Sequence, residues 1–271
     1  MKIFIISMSS YRERRDFQKY QAENLGLEIE FIDAINGSLL SELDLQQAAN
    51  NWTRNIFSKD VGCFHSHRKA WDRVSQENEK CLIIEDDVIF SDNIKEILNF
   101  ISNHSDDWNV AYDLEYVPRK HILGKSVIWK DIKTKSSAIK IYQNKDGLGA
   151  YVIGPKLALK AYKEITSYAM IDATFWSRKW IDYRQIEPAP VVQMMHIDKA
   201  TKGDNVSIHQ VRNKNYINNS WMSRKLIRLK ISFYELPMFI KALIFGVKRE
   251  ISVNRKELED NFESLINQNT Y

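Results

Sequence analysis

Three consecutive acids, Glu85-Asp86-Asp87, follow the apolar run Cys81 to Ile84. Adjacent carboxylates repel one another, and burial makes the repulsion worse. A triplet at a strand tip is therefore costly unless something positive binds there. In open α/β sheets, ligands sit at the carboxyl ends of strands. A hard divalent cation, Mg²⁺ or Mn²⁺, takes oxygen ligands and bridges carboxylates to substrate phosphates. If strand geometry persists, Glu85 and Asp87 share one face and Asp86 takes the other. The competing reading is an exposed acidic turn or a helix N-terminus, which also attracts carboxylates.

Other residues carry weaker signals. Arg14 and Arg15 follow the first apolar run, near a helix N-terminus, where anions bind readily. One is read as facing a ligand and the other as a solvated charge. Asp33 ends the second strand, either as a hydrogen-bond acceptor for a ligand or as a turn residue. His67 falls in a helical pattern with Cys63 and Ala70. It is either a packed, hydrogen-bonded histidine or a ligand contact. Gly149 suits a close backbone approach, and Glu115 ends a strand of the same sheet.

The elements that position these residues read as follows. Ile3 to Ile6 predicts a buried strand, Glu13 to Leu25 a helix and Leu27 to Ile32 a second strand. A β-α-β start predicts a parallel sheet covered by helices. Asp60 to Val74 predicts a helix, Cys81 to Ile84 a strand, Asn93 to Ile101 a helix and Asn109 to Leu114 a strand. Residues 119–146 predict irregular strands and loops. A short strand, Val152-Ile153, precedes a helix opening at Pro155, where proline is tolerated.

Composition sets the class. The chain has 271 residues, 44% hydrophobic and 27% charged, which suits a globular domain with an appendage. Its net charge is +4, but residues 211–249 hold nine Lys/Arg and one acid, so the remainder sums to −4. Such asymmetry predicts a tail that meets an anionic partner. Cys63 and Cys81 give no disulfide framework and no metal spacing, and read as free thiols of a reducing compartment. No signal peptide and no run of 18 apolar residues is present, so a cytoplasmic protein is expected.

Seven motifs, in order, resemble glycosyltransferase family 25, the bacterial lipooligosaccharide galactosyltransferases and their relatives. Ile6-Ser7 with Glu13-Arg14-Arg15 resembles the opening strand and its ERR element. Phe31-Ile32-Asp33-Ala34 resembles the end of the second strand. Gly62-Cys63-Phe64 with Ser66-His67 and Trp71 resembles the GC-x-x-SH helix. Ile84 to Val88 resembles the EDDV signature, and Gly149-Ala150-Tyr151 with Val152-Ile153 the glycine-containing strand. Ile171-Asp172 resembles the (P)VD element, and Pro190 to Gln193 with His196 the closing strand and its histidine. Met170 replaces a common proline, and Gly154-Pro155 the usual Ser-Arg; both departures bear on the acceptor side.

The resemblance implies a GT-A fold, a Rossmann-like mixed sheet flanked by helices. It implies a catalytic domain over 1–210, with a nucleotide-binding half to about 115, an acceptor half over 116–210, and a basic helical region over 211–271. It implies inverting transfer of a hexose, galactose being the commonest, from a UDP-sugar. Asp172 matches the acceptor-facing base, and a helix N-cap is its alternative. Asp87, Glu85 and His196 are the expected metal set, with His209 a rival to His196. Ser7, Arg14, Arg15, Asp33, His67, Glu85, Asp86 and Gly149 are expected at the donor, and Glu115 at the sugar or acceptor.

Met222, Leu226, Leu229 and Phe233 fall on one helical face, with Arg224, Lys225 and Arg228 largely off it. This predicts either an interfacial helix on an anionic membrane, suited to a lipid-linked oligosaccharide acceptor, or a helix packed on the catalytic domain. A location at the inner face of the cytoplasmic membrane follows from the first. Nucleic acid is not expected as a partner, because no motif accompanies the charge. Two further readings compete: a scaffold protein of the same fold without turnover, and a metal-dependent phosphohydrolase, which lacks a second His/Asp cluster.

Overall fold

The structure is a computed structural model and describes residues 1–49, 51–54, 56–144, 146–197 and 221–268. Its first half contains β1 (Ile3–Ser7), α1 (Arg12–Leu25), β2 (Ile29–Asp33), α2 (Glu42–Ala49), α3 (Ser58–Ser75), β3 (Cys81–Glu85), β4 (Val88–Phe90), α4 (Ile94–Asn103), β5 (Val110–Asp113) and β6 (Glu115–Tyr116). Then follow β7 (Lys120–Asp131), β8 (Ser136–Gln143), β9 (Ala150–Ile153), α5 (Pro155–Glu164), α6 (Ile171–Trp176), β10 (Asp182–Glu187) and β11 (Val191–Gln193). The last elements are α7 (Trp221–Phe245), β12 (Gly246–Glu250) and α8 (Arg255–Gln268).

The α/β class expected from the sequence is what the chain adopts, a large mixed sheet flanked by helices. Nine strands run in the order β12-β7-β8-β10-β5-β9-β3-β1-β2. The sheet is not wholly parallel as the β-α-β start suggested. β1 pairs in parallel with β2 and β3, and β10 with β5, but β9 lies antiparallel between β3 and β5. β1 and most of β3 are buried on both faces, which is why each reads as an unbroken apolar run.

Residues 119–146 differ most from expectation. They form two long antiparallel strands, β7 and β8, with register shifts near Leu123, Val127 and Trp129. Most of β7 beyond Gly124 faces solvent, so its polar and apolar residues do not alternate cleanly. The region after 211, expected to be helical, also supplies an edge strand. β12 pairs with β7, α7 packs on β7 and β8, and α8 packs on α1 and β4. The Phe17 and Phe262 ring centroids lie 6.4 Å apart across the α1–α8 contact.

A second, three-stranded sheet, β4-β11-β6, sits at the strand tips. It exists because the chain turns immediately after Glu85 and restarts as β4 at Val88. Val88 is level with Gln193, and Val191 with Glu115. This small sheet carries Glu115 and Gln193 to the acidic triplet.

Candidate functional site

The triplet is a turn, not a continuing strand. Asp86 and Asp87 form the link between β3 and β4, so the alternation expected of a strand stops at Glu85. The Asp87 carbonyl accepts from the Met194 amide at 2.7 Å, which fixes the turn against β11. The three carboxylates therefore point to three different sets of partners.

Asp86 faces the β1–α1 connection and is buried. It accepts from the Ser7 hydroxyl at 2.7 Å and from Arg14 Nη1 at 2.8 Å. Gln18 on α1 donates to the Asp86 and Val88 carbonyls at 3.2 and 2.8 Å. The helix itself ends at Gly26, whose φ of 58° is a left-handed cap. Arg15 donates to the Ser7 carbonyl at 2.8 Å and also to Asp33, and lies 4.9 Å over the Phe31 ring. Both arginines are thus held at the strand tips. Arg14 serves the triplet; Arg15 and Asp33 form a more exposed pair at the end of β2.

Glu85 faces α3. Its Oε1 lies 3.4 Å from His67 Nε2 and 3.9 Å from Cys63 Sγ, and its Oε2 accepts from Gln193 Nε2 at 2.9 Å. The helical spacing explains the motif. Gly62 and Ser66 share one face, where a side chain on Gly62 would strike the Ile35 carbonyl at 2.6 Å and Ser66 accepts from the Ile35 amide at 2.8 Å. Cys63 and His67, also four apart, share the neighbouring face turned to Glu85. Behind them His67 Nδ1 meets the Tyr151 hydroxyl at 3.0 Å, and Trp71 Nε1 donates to that oxygen at 2.8 Å. Burial pushes the Glu85 carboxyl up, but the His67 bond and the charges of His67 and Arg14 bring it below its ordinary value.

Asp87 is held differently. Its Oδ2 lies 3.7 Å from Arg14, while its Oδ1 is buried without a hydrogen-bond partner. Burial first, and then the charge of Glu85, push its carboxyl up to about 7. Glu115 has a similar character. Its Oε2 accepts from the Gly149 amide at 2.7 Å, and its Oε1 has no partner. Burial, Asp113 and Glu85 hold it well above the usual carboxylate range. Asp113 is raised to about 8 by burial. A side chain on Gly149 would meet Gln193 Nε2 at 2.8 Å and Glu115 Oε1 at 3.1 Å, so the backbone there is wedged between two site residues.

Asp172 lies in the first turn of α6, and Met170 occupies the N-cap position. One Asp172 oxygen accepts from the Ala173 amide at 2.7 Å. Burial raises its carboxyl, with Asp146 and Glu85 adding to the effect. The structure thus brings Asp172 within electrostatic reach of the triplet. His196 ends a short turn after β11, and burial, Arg119 and Arg255 lower its imidazole. Its electrostatic surroundings are cationic rather than acidic. His209 lies outside the described residues.

A divalent cation fits this donor set. Two buried carboxylate oxygens without partners, on Asp87 and Glu115, lie among acids that Arg14 and His67 partly offset. Like charges so placed are relieved either by protonation or by a cation. Gln193 and the Tyr151–Trp71 pair are site members that residue types alone did not flag. Gln193 lies inside a motif that assigns it no role, and the Cys63–His67 spacing by itself leaves His67 either a packed histidine or a ligand contact.

The sequence model described as glycosyltransferase family 25 (LPS biosynthesis protein) matches residues 1–176. The chain belongs to glycosyltransferase family 25. Among family 25 proteins, procollagen galactosyltransferase 2 of Homo sapiens is 28% identical over 131 residues, covering 45% of this chain and 21% of that one. A glycosyltransferase 25 family member of Drosophila pseudoobscura pseudoobscura is 29% identical over 137 residues, covering 47% and 22%. The inactive glycosyltransferase 25 family member 3 of Homo sapiens is 24% identical over 131 residues, covering 45% and 22%. The chain spans about a fifth of the length of these curated relatives.

Among solved structures, a glycosyltransferase involved in the glycosylation of the major capsid of PBCV-1 is similar at a TM-score of 0.37 and 10% identity, over 71% of this chain and 93% of that one. The galactosyltransferase LgtC, in complex with donor and acceptor sugar analogs, scores 0.32 at 15% identity, over 68% and 73%. Scores this low carry no argument, and the architecture of this family 25 chain rests on its own sheet.

Proposed function

We propose that the chain is an inverting glycosyltransferase that moves a hexose, galactose in our reading, from a UDP-sugar to a lipid-linked oligosaccharide of the lipopolysaccharide or lipooligosaccharide kind. One observation carries this reading. In a family 25 chain, the strand-tip triplet leaves a buried Asp87 oxygen without a partner beside Glu85, with Arg14 next to Asp87 and His67 next to Glu85 to offset them.

Asp87 and Glu85 would hold Mn²⁺ or Mg²⁺, which supplies charge neutralisation at a departing diphosphate. The remaining work falls to side chains. Arg14, fixed by Asp86, which the Ser7 hydroxyl holds in turn, orients the triplet. Arg15 and Asp33 face the nucleoside end of the donor. Gly149, which we place beside the sugar, has no side chain, so Gln193 and Glu115 close against its backbone. Glu115, held above the ordinary carboxylate range by burial and with one oxygen unpartnered, faces the sugar or the acceptor. His67 steadies Glu85. Asp172 takes the proton of the acceptor hydroxyl as the new C–O bond forms, and burial raises its carboxyl above the ordinary aspartate value, which makes it a stronger base. His196, beside Arg119 and Arg255, contacts a phosphate rather than the cation.

We further propose that α7 rests on an anionic membrane that displays the acceptor. One side of α7 packs on β7 and β8. The other exposes Met222, Leu226, Leu229, Phe233, Ile240 and Leu243, a continuous stripe at helical spacing. Arg224, Lys225, Arg228 and Lys241 are carried on the same helix, matching an anionic surface in charge. No helix among the described residues is long and apolar enough to cross a membrane.

The deciding experiment is a donor screen. UDP-galactose, UDP-glucose and UDP-N-acetylhexosamines are incubated with the protein and Mn²⁺, and released UDP is measured. Metal-dependent release from one of them is expected. Absence of both release and UDP binding would remove the proposal. Binding without release or transfer would favour the second reading, a donor-binding scaffold, which the similarity to an inactive family member keeps in view.

A further inference from the structure

The geometry points to a second cation site on the same molecule, selective for thiophilic metals: Zn²⁺ bound by Cys63 Sγ, His67 Nε2 and one oxygen of Glu85. Their ligand atoms all lie within 4.8 Å of one another, and among the described residues no other such group of three forms. Cys63 Sγ is 3.9 Å and His67 Nε2 3.4 Å from the same Glu85 oxygen. Ligands about 2.0–2.3 Å from a shared zinc, at tetrahedral angles, stand roughly 3.3–3.8 Å apart. The three donors are therefore close to coordinating distance before any metal arrives.

The scaffold around them is that of a ligand set. His67 and Cys63 project from one face of α3, and Glu85 from the tip of β3, so two rigid elements fix all three. His67 turns Nε2 toward Glu85, and its Nδ1 is held by Tyr151, which Trp71 holds in turn. An oriented outer partner of this kind sets the ring of a ligating histidine. The Glu85 side chain is 30% exposed and Cys63 half-buried, which gives an ion a path from solvent. With three protein ligands, a fourth would come from water, as in zinc sites that are not purely structural.

The chemistry separates this site from the one proposed for the donor. Thiolate and imidazole suit Zn²⁺ and its analogues, whereas Mg²⁺ and Mn²⁺ favour carboxylate, carbonyl and water. Coordination replaces the thiol proton, which leaves to solvent. Burial and Glu85 hold the Cys63 thiol far above its usual value, so without a metal it is no nucleophile. Glu85 belongs to both sets, so Zn²⁺ would withdraw it from the donor cation. This competition rests on the proposed function; zinc binding itself does not.

Cobalt reports the site directly. The full chain is titrated with Co²⁺ under reducing, oxygen-free conditions, and the near-ultraviolet charge-transfer band of a cobalt–thiolate bond is followed. One equivalent should produce the band, and Zn²⁺ should erase it. Cys63→Ser should abolish it, Cys81→Ser should retain it, and Tyr151→Phe should weaken binding about 10- to 100-fold. Thermal melts of each variant confirm folding. Absence of the band in the parent, or its persistence in Cys63→Ser, overturns the site. Mn²⁺-dependent UDP binding is measured in parallel, with and without one equivalent of Zn²⁺. Zn²⁺ should weaken it in the parent but not in Cys63→Ser, and equal weakening in both overturns the competition. A cobalt band without any UDP binding would keep the zinc site and remove the donor proposal instead.

Discussion

Gln193 Nε2 donates to Glu85 Oε2 at 2.9 Å, and this bond joins the small sheet at the strand tips to the last residue of β3. The other Glu85 oxygen faces α3, so three layers converge on one carboxylate. Gln193→Ala leaves the charge of Glu85 intact but frees its orientation. A hydrogen bond to a charged group contributes about 1.5–3 kcal/mol. Mn²⁺-dependent UDP binding should weaken at least about tenfold by calorimetry, with the fold retained. Unchanged affinity would show that Glu85 needs no such support.

Asp87 makes a pH prediction with a definite sign. Its carboxyl is raised from 3.8 to about 7, and Asp113 moves the same way to about 8. Across the interval between those ordinary and raised values, the folded protein keeps protons that the unfolded chain has lost. Stability should therefore fall as pH rises through it. In metal-free buffer, Tm should drop from pH 5 to pH 8, and Mn²⁺ should restore part of it at pH 8. Asp87→Asn should raise the metal-free Tm at pH 8 by a few degrees while abolishing Mn²⁺-dependent UDP binding. A lower Tm in that variant would mean that Asp87 is stabilised by partners other than a cation.

Gly149→Ala tests the wedge between Glu115 and Gln193. The new methyl would sit 2.8 Å from Gln193 Nε2 and 3.1 Å from Glu115 Oε1, so both side chains must shift. Overpacking of this kind costs about 1–3 kcal/mol. Denaturant melts should show that loss, and with the sugar placed as proposed, UDP-sugar hydrolysis should fall further than UDP binding. Full hydrolysis in the variant would place the sugar elsewhere.

The sequence made the centre of the fold legible for a simple reason. β1 and most of β3 are buried on both faces, so burial wrote itself into IFII and CLII as continuous apolar runs. The acidic triplet was legible because three adjacent charges need a cause. The long strands β7 and β8 were not, since an exposed, bulged strand has no clean alternation to read. The split of Glu85, Asp86 and Asp87 toward separate partners was hidden as well. It depends on a turn that only the pairing of β4 with β11 fixes. Cys63 and His67 carried a four-residue spacing, but nothing in sequence tells which element faces that side of a helix.

The exposed stripe of α7 predicts vesicle binding. Sedimentation with vesicles rich in phosphatidylglycerol should capture the chain, and neutral vesicles should capture far less. Leu226, Leu229 and Phe233 are all well exposed, so replacing the three with serine should leave the melt within about 1.5 kcal/mol of the parent, about 0.5 kcal/mol for each. It should nevertheless release most of the protein from the vesicles. Capture should also weaken with added salt, as a basic surface on anionic lipid requires. Binding that survives the triple replacement would assign the stripe to another role.

Asp172 separates binding from chemistry. It lies in the first turn of α6, and one oxygen is already engaged by the Ala173 amide. If its role is the base, Asp172→Asn should keep UDP-sugar affinity near the parent value, since no donor contact is removed. Transfer should fall about 10²- to 10⁴-fold, the usual contribution of a positioned acid or base. The pH profile supplies the second check. Burial raises the Asp172 carboxyl, so transfer by the parent should decline on the acid side at a pH above the ordinary aspartate range. The residual activity of the variant should lack that limb. A variant with reduced stability, full transfer and an unchanged acid limb would leave Asp172 as a helix-start residue and move the search for the base to another carboxylate, with Glu115 the next to test.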